Sequence, residues 1–187
     1  MRVVFDLDGT LIDSDPDILA ALNRVLAAAG LAPLDRAELR PMIGDGAKVL
    51  VERAFAHRGG TSGPAELAAF LAYYEANAVV ETEPYPGIIA ALEALREAGH
   101  VMGVCTNKPE LAARSILAEL KLDGYFRAVT GGDSTRYRKP DPRHLAVTLK
   151  ALEAAGAAGN AVMIGDHAND IAAAAGLGIP SIFVAWG

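Results

Sequence analysis

The sequence predicts an α/β fold: a doubly wound, Rossmann-like parallel sheet with an α-helical cap inserted after its first strand. Three observations lead there. A short apolar run, Val3-Val4-Phe5, stands alone near the start; a long stretch of purely helical periodicity follows it; and from Pro84 onward short apolar runs alternate with helical segments. Such alternation builds a parallel sheet covered by helices on both faces. One short strand cannot stand alone, so Val3–Phe5 joins that sheet. The helical residues between are then an insertion, giving a discontinuous core over 1–13 and 84–187 and a cap over 14–83.

Within the cap, Ile18, Leu22, Val25, Leu26 and Ala29 recur at helical spacing. Asp15 with Pro16 reads as N-cap and first-turn proline, and Gly30 as the stop. Asp35 and Glu38 form an acidic variant of the capping box, and Pro64 opens a segment holding Leu67, Phe70, Leu71 and Tyr74. In the core the predicted order is helix 88–98, strand 101–105, helix 109–120, strand 128–130, helix 142–155, strand 161–164, helix 170–175 and strand 181–184.

Composition narrows the function classes. The chain has 187 residues, 52% of them hydrophobic, which is enough for a full core. No apolar run reaches the roughly 18–20 residues of a membrane span, and acid at Asp6 comes too early for a signal peptide, so a cytoplasmic protein is expected. With 23 acidic against 17 basic residues, the net charge is −6 and no basic cluster can track a nucleic-acid backbone. The single cysteine, Cys105, sits in an apolar run and reads as a buried, inert thiol. A monomer or homodimer is expected.

In doubly wound sheets the ligand sits beyond the carboxyl ends of the strands, so polar residues following each apolar run are the candidate site. Asp6 and Asp8 follow the first strand, Thr106 and Asn107 follow Val101–Cys105, and Asp166 follows Val162–Gly165 with Asp170 four residues on. Lys139 lies in the loop beyond Val129. Carboxylates converging at one sheet edge repel unless a hard divalent cation lies among them, and oxygen ligands near a phosphate suit Mg²⁺. Lys139 and the Thr106 hydroxyl would contact the anion, the mixture of cation, donor and nucleophile that phosphoryl transfer needs. Several of these residues also have structural readings. Thr106 with Asn107 can cap the helix ahead of Pro109, Asp170 can be an N-terminal helix charge, His167 a loop residue, and Lys48 part of a solvated face.

Together these residues resemble the haloacid dehalogenase-like hydrolases. Asp6-Leu7-Asp8-Gly9-Thr10 is similar to their first motif, Thr106 to the second, Lys139 in Arg138-Lys139-Pro140-Asp141-Pro142 to the third, and Gly165-Asp166-His167-Ala168-Asn169-Asp170 to the fourth. The resemblance implies that Asp6 is the nucleophile and Asp8 the acid and then base. It implies that Mg²⁺ is held by the Asp6 carboxylate, the Asp8 backbone carbonyl and Asp166, supported by Asp170. Gly9, Thr10, Thr106, Asn107 and Lys139 would bind the substrate phosphate. Three further stretches, 42–47, 106–110 and 131–133, resemble bacterial phosphoglycolate phosphatases, which implies a small phosphorylated metabolite, 2-phosphoglycolate, as substrate. Sugar-phosphate phosphatases or mutases and phosphonate hydrolases of the same superfamily are the alternatives, with Lys48 a candidate for the phosphonate chemistry. Asp8 speaks against a phosphonate hydrolase or dehalogenase, and the helical insertion against a receiver domain. His167 stands where the family usually has a small hydroxyl residue, and the chain ends at Gly187, where relatives commonly continue with a short strand and helix.

Overall fold

The computed structural model describes residues 1–187 and divides into two compact units, Met1–Asp13 with Glu83–Gly187, and Ser14–Thr82. The first unit is the predicted doubly wound domain. Its strands are β1 (Arg2–Phe5), β4 (Val101–Cys105), β5 (Phe126–Thr130), β6 (Ala161–Gly165) and β7 (Ser181–Phe183), in the order β5-β4-β1-β6-β7 and all parallel. Helices α5 (Ile88–Glu97), α6 (Glu110–Glu119), α7 (Pro142–Ala154) and α8 (Ala168–Gly176) connect them. The chain steps outward through β4 and β5 on one side of β1 and returns to add β6 and β7 on the other. The switch point therefore falls at the carboxyl end of β1, where such sheets open a crevice.

Burial on both faces explains why these strands read as continuous apolar runs. Val3 and Val4 are both buried, and Val4, Cys105 and Met163 pack beneath Leu145, Leu149 and Leu152 of α7 and Ala173 and Ala174 of α8. Gly103 of β4 marks a close approach of the sheet to α7. A Cβ there would lie 3.2 Å from the Ala128 carbonyl oxygen and 3.2 Å from Thr148 of α7. Cys105 is a buried thiol, as expected, and burial pushes its pKa up to about 11. No helix is long and apolar enough to cross a membrane.

Two very short strands were not anticipated. β2 (Ile12–Asp13) pairs antiparallel with β3 (Glu83–Pro84), joining Ile12 to Pro84 and Asp13 to Glu83. Two residues carry no alternation, so nothing in the sequence marks them as strands. Glu83 consequently belongs to the first unit.

The second unit contains α1 (Asp15–Ala28), α2 (Arg36–Leu39), α3 (Ala47–His57) and α4 (Pro64–Ala76) and no strand. Asp35 and Glu38 form the expected capping box, each accepting from the other's backbone N–H at 2.9 Å. Asp15 departs from the N-cap reading. It is the first residue of α1, and its carboxylate instead accepts from Arg36 at 2.9 Å and Arg40 at 3.1 Å. Asp17, buried, accepts from the backbone of Val80, Glu81 and Thr82 and from the Thr82 hydroxyl, tying the two ends of the unit together. Lys48 is exposed and faces Glu52 one turn on at 3.8 Å, a solvated pair.

Candidate active site

The parallel register sets the site. Phe5 is level with Val104 and with Ile164, so the residues that follow β1, β4 and β6 emerge side by side at the same edge. Asp6 continues the ladder for one more bond, its N–H donating to the Ile164 carbonyl at 2.9 Å. Immediately after it the chain turns. The Leu7 carbonyl accepts from Leu11 N–H at 2.9 Å and Ile12 N–H at 3.2 Å, with Leu7 and Leu11 buried beneath the turn. Gly9 stands at φ +76°, and a Cβ there would come within 2.3 Å of Asp166 Oδ2. Only glycine satisfies both the backbone conformation and the close approach.

Three carboxylates gather at this edge. Oxygen atoms of Asp6, Asp166 and Asp170 lie within 4.8 Å of one another. One cation reaches two of them: the buried Lys139 ammonium sits 2.8 Å from Asp6 Oδ1 and 2.6 Å from Asp170 Oδ1. Burial opposes the Lys139 charge, but the two carboxylates more than offset it and hold its pKa above the ordinary value. The acids show the complementary strain. Burial raises Asp6 to about 6 against the pull of Lys139, with Asp170 adding to the rise. Burial likewise raises Asp166 to about 6, helped by Asp6. One lysine is too little charge for three acids, and an all-oxygen cluster of this kind fits a hard divalent cation.

The supporting residues explain how the site is held. Thr10 donates its hydroxyl to Asp166 Oδ1 at 2.8 Å. Asp170 is at once part of the cluster and part of the start of α8, since its Oδ2 accepts from His167 N–H at 3.1 Å. His167 caps the same helix by accepting from Asn169 N–H at 3.2 Å. The Asn107 side chain grips the backbone of Lys139 from both sides, donating to its carbonyl and accepting from its N–H, each at 2.9 Å. This bracket fixes the lysine's approach across 32 residues of sequence. The Thr106 hydroxyl accepts from Lys108 N–H at 3.2 Å, closing a local turn, and α6 starts only at Glu110 after Pro109. Thr106 and Asn107 therefore do not cap that helix.

Lys108 is the residue the sequence reading missed. Buried, it places its ammonium 2.9 Å and 3.0 Å from the two carboxylate oxygens of Asp8. The available signal was its position two residues beyond Thr106 at a strand end. The 131–133 stretch supports the same turn. A Cβ on Gly131 would fall 2.2 Å from Glu110 N, one on Gly132 would fall 2.3 Å from the Asn107 carbonyl oxygen, and Asp133 accepts from Glu110 N–H at 2.7 Å. Trp186 also reaches the first loop, donating its indole N–H to the Thr10 carbonyl at 3.2 Å.

Such an edge can hold a divalent cation, receive an anion beside it, and present a carboxylate oxygen to an electrophile, with a second carboxyl two residues on to move a proton. Fold and site together point to a hydrolase built on a doubly wound α/β core. Comparison with known families gives the same class: the model for haloacid dehalogenase-like hydrolases matches residues 3–184, and the chain belongs to that family. The phosphoglycolate phosphatase of Agrobacterium fabrum is 44% identical over 188 residues, covering 98% of this chain and 80% of the relative. That of Rhodospirillum rubrum is 44% identical over 193 residues, covering 99% and 79%. Among solved structures, a predicted phosphoglycolate phosphatase from Haemophilus somnus superposes with a TM-score of 0.89 at 30% identity, covering all of this chain and 85% of the other. CbbY from Rhodobacter sphaeroides in complex with phosphate gives a TM-score of 0.79 at 26% identity, covering 97% and 84%.

Proposed function

We propose that the protein is a Mg²⁺-dependent phosphatase that hydrolyses 2-phosphoglycolate through an aspartyl-phosphate on Asp6. The observation that carries this reading is the pair of Asp–Lys contacts at one sheet edge, Asp6 with Lys139 and Asp8 with Lys108, beside the carboxylates of Asp166 and Asp170. The names of these two relatives support the choice of ester. Asp6, Asp166 and Asp170 are the side chains that would hold the metal, with the Asp8 backbone carbonyl as a further oxygen donor. Bound there, Mg²⁺ would neutralise the acids and lower the cost of bringing a phosphate dianion among them.

In the first half-reaction an Asp6 carboxylate oxygen attacks phosphorus, the bond from phosphorus to the glycolate oxygen breaks, and Asp8 gives its proton to that oxygen. In the second, water attacks the acyl phosphate, its proton passes to Asp8, and the bond between phosphorus and Asp6 breaks to release inorganic phosphate. Lys139 holds Asp6 in place and lies ready to pair with the phosphoryl oxygens, and the Thr106 hydroxyl donates to the same group. Asn107 acts by positioning Lys139, because its amide is engaged on that residue's backbone. Gly9 and Thr10 shape the loop and orient Asp166, Thr10 through its hydroxyl.

The direct test is phosphate release from 2-phosphoglycolate with and without Mg²⁺, beside a panel of sugar phosphates. Metal-dependent cleavage of 2-phosphoglycolate in preference to the sugar phosphates is expected, and preference for a sugar phosphate would replace the assigned substrate. Asp166→Ala should raise the Mg²⁺ concentration needed for half-maximal activity by about ten-fold or more, since it removes a carboxylate from the cluster. An unchanged metal titration would give Asp166 a structural role. Asp8→Asn should slow both half-reactions on alkyl esters yet leave Asp6 able to react with an acyl phosphate, whose leaving group needs little protonation. Intact-mass spectrometry should then show a one-phosphoryl adduct accumulating. Hydrolysis of alkyl phosphates at near the parental rate would remove Asp8 from the proton transfers.

A further inference from the structure

We infer that Lys108 is the specificity residue of this site, recognising a carboxylate carried by the leaving group next to the scissile oxygen. The inference rests on the phosphatase reading above and deepens it. Whatever the ester, the leaving oxygen must come within hydrogen-bond reach, about 2.6–3.2 Å, of an Asp8 carboxyl oxygen to receive its proton. The Lys108 ammonium already sits 2.9 and 3.0 Å from the two oxygens of that same carboxyl. The leaving oxygen and the ammonium are thus neighbours around one group, separated by no more than about 6 Å. In 2-phosphoglycolate the carboxylate is one carbon from the ester oxygen, which places its negative charge in the space the ammonium commands.

The site divides its two cations accordingly. Lys139 is committed to Asp6 and Asp170, on the side where phosphorus is attacked, and its backbone is bracketed by Asn107. Lys108 stands on the leaving-group side. Its ammonium is largely buried, so a charge there acts through less screening than one on an open surface and discriminates more strongly between an anionic and a neutral partner. Its backbone is equally fixed, with its N–H on Thr106 Oγ1 and its carbonyl accepting from Gly132 N–H at 2.8 Å. A neutral leaving group offers this lysine no charge to pair with and leaves its contact with Asp8 unshared with the substrate. An anionic one lets the ammonium share its donors between Asp8 and the substrate.

The test compares 2-phosphoglycolate with 2-hydroxyethyl phosphate, which replaces the carboxylate by a neutral hydroxymethyl of similar size and keeps an alkyl leaving group that still needs its proton. The parent should prefer 2-phosphoglycolate in kcat/KM. Lys108→Gln should reduce that preference by about 10- to 100-fold, chiefly through KM for 2-phosphoglycolate, while competitive inhibition by glycolate weakens in parallel. Lys108→Arg, which keeps the charge, should retain most of the preference and guards against misreading a folding defect. An equal loss on both esters, with glycolate inhibition unchanged, would overturn the inference and leave Lys108 a positioning residue for Asp8. A parent that cleaves both esters equally would overturn it as well, with the phosphatase reading intact. A parent that cleaves neither ester but hydrolyses other phosphates would remove the 2-phosphoglycolate reading and the inference with it.

Discussion

Asp6→Asn should abolish turnover, by on the order of 10⁴-fold or more, the scale seen when a covalent nucleophile is removed. The amide is nearly isosteric with the carboxylate but has no anionic oxygen to offer phosphorus. The fold should survive unharmed. Burial raises the Asp6 pKa to about 6, so the charged form is held in the folded metal-free protein at a cost that the amide does not carry. Lys139 would still have Asp170 at 2.6 Å. Thermal unfolding of the metal-free variant is therefore expected at the parental temperature or somewhat above it, with no phosphoryl adduct by intact mass under any substrate. Retention of a substantial fraction of parental turnover would exclude Asp6 as nucleophile.

Lys139→Met should damage both stability and chemistry, and the two losses can be separated. The ammonium is buried between Asp6 and Asp170, and removing one partner of a buried ionic cluster leaves the others uncompensated, a loss of about 3–5 kcal/mol. Denaturant unfolding of the metal-free protein reads this directly. Turnover should fall by about 10²- to 10³-fold in addition, the range for losing one preorganised donor to a developing negative charge. Combining Lys139→Met with Asp170→Asn removes one of the stranded carboxylates and should recover part of the stability without recovering turnover. A double variant that regains activity along with stability would mean that Lys139 serves the fold alone.

The behaviour of Asn107 and Lys108 shows where reading along the chain ends. Asn107 was expected at the phosphate as a polar residue after a strand, whereas Lys108 lay within the 106–110 stretch with no role of its own. What each side chain reaches depends on residues far off in sequence. Asn107 meets Lys139 because the loop after β5 comes back over the end of β4, and Lys108 meets Asp8, 100 residues away, because β1 and β4 are neighbours. Asp15 is a similar case: its position ahead of Pro16 suits a cap, yet two arginines 21 and 25 residues on take its carboxylate.

By itself the sequence determined the doubly wound class, the helical insertion and the set of residues at the strand ends. Buried parallel strands write themselves as short apolar runs, and the polar residue that ends each run marks the carboxyl edge. The motifs carried the family as well, because the chemistry needs those residue types together and this strand topology fixes the order in which the chain delivers them. Only the tertiary structure decided which charges meet: that Lys139 spans Asp6 and Asp170, that Asp170 also caps α8, that Lys108 stands on Asp8, and that two residues at 12–13 pair with two at 83–84. These are contacts of a few ångströms between residues far apart along the chain, and no local periodicity records them. Strand order and register bring them together, and the low screening of the buried site gives them their strength.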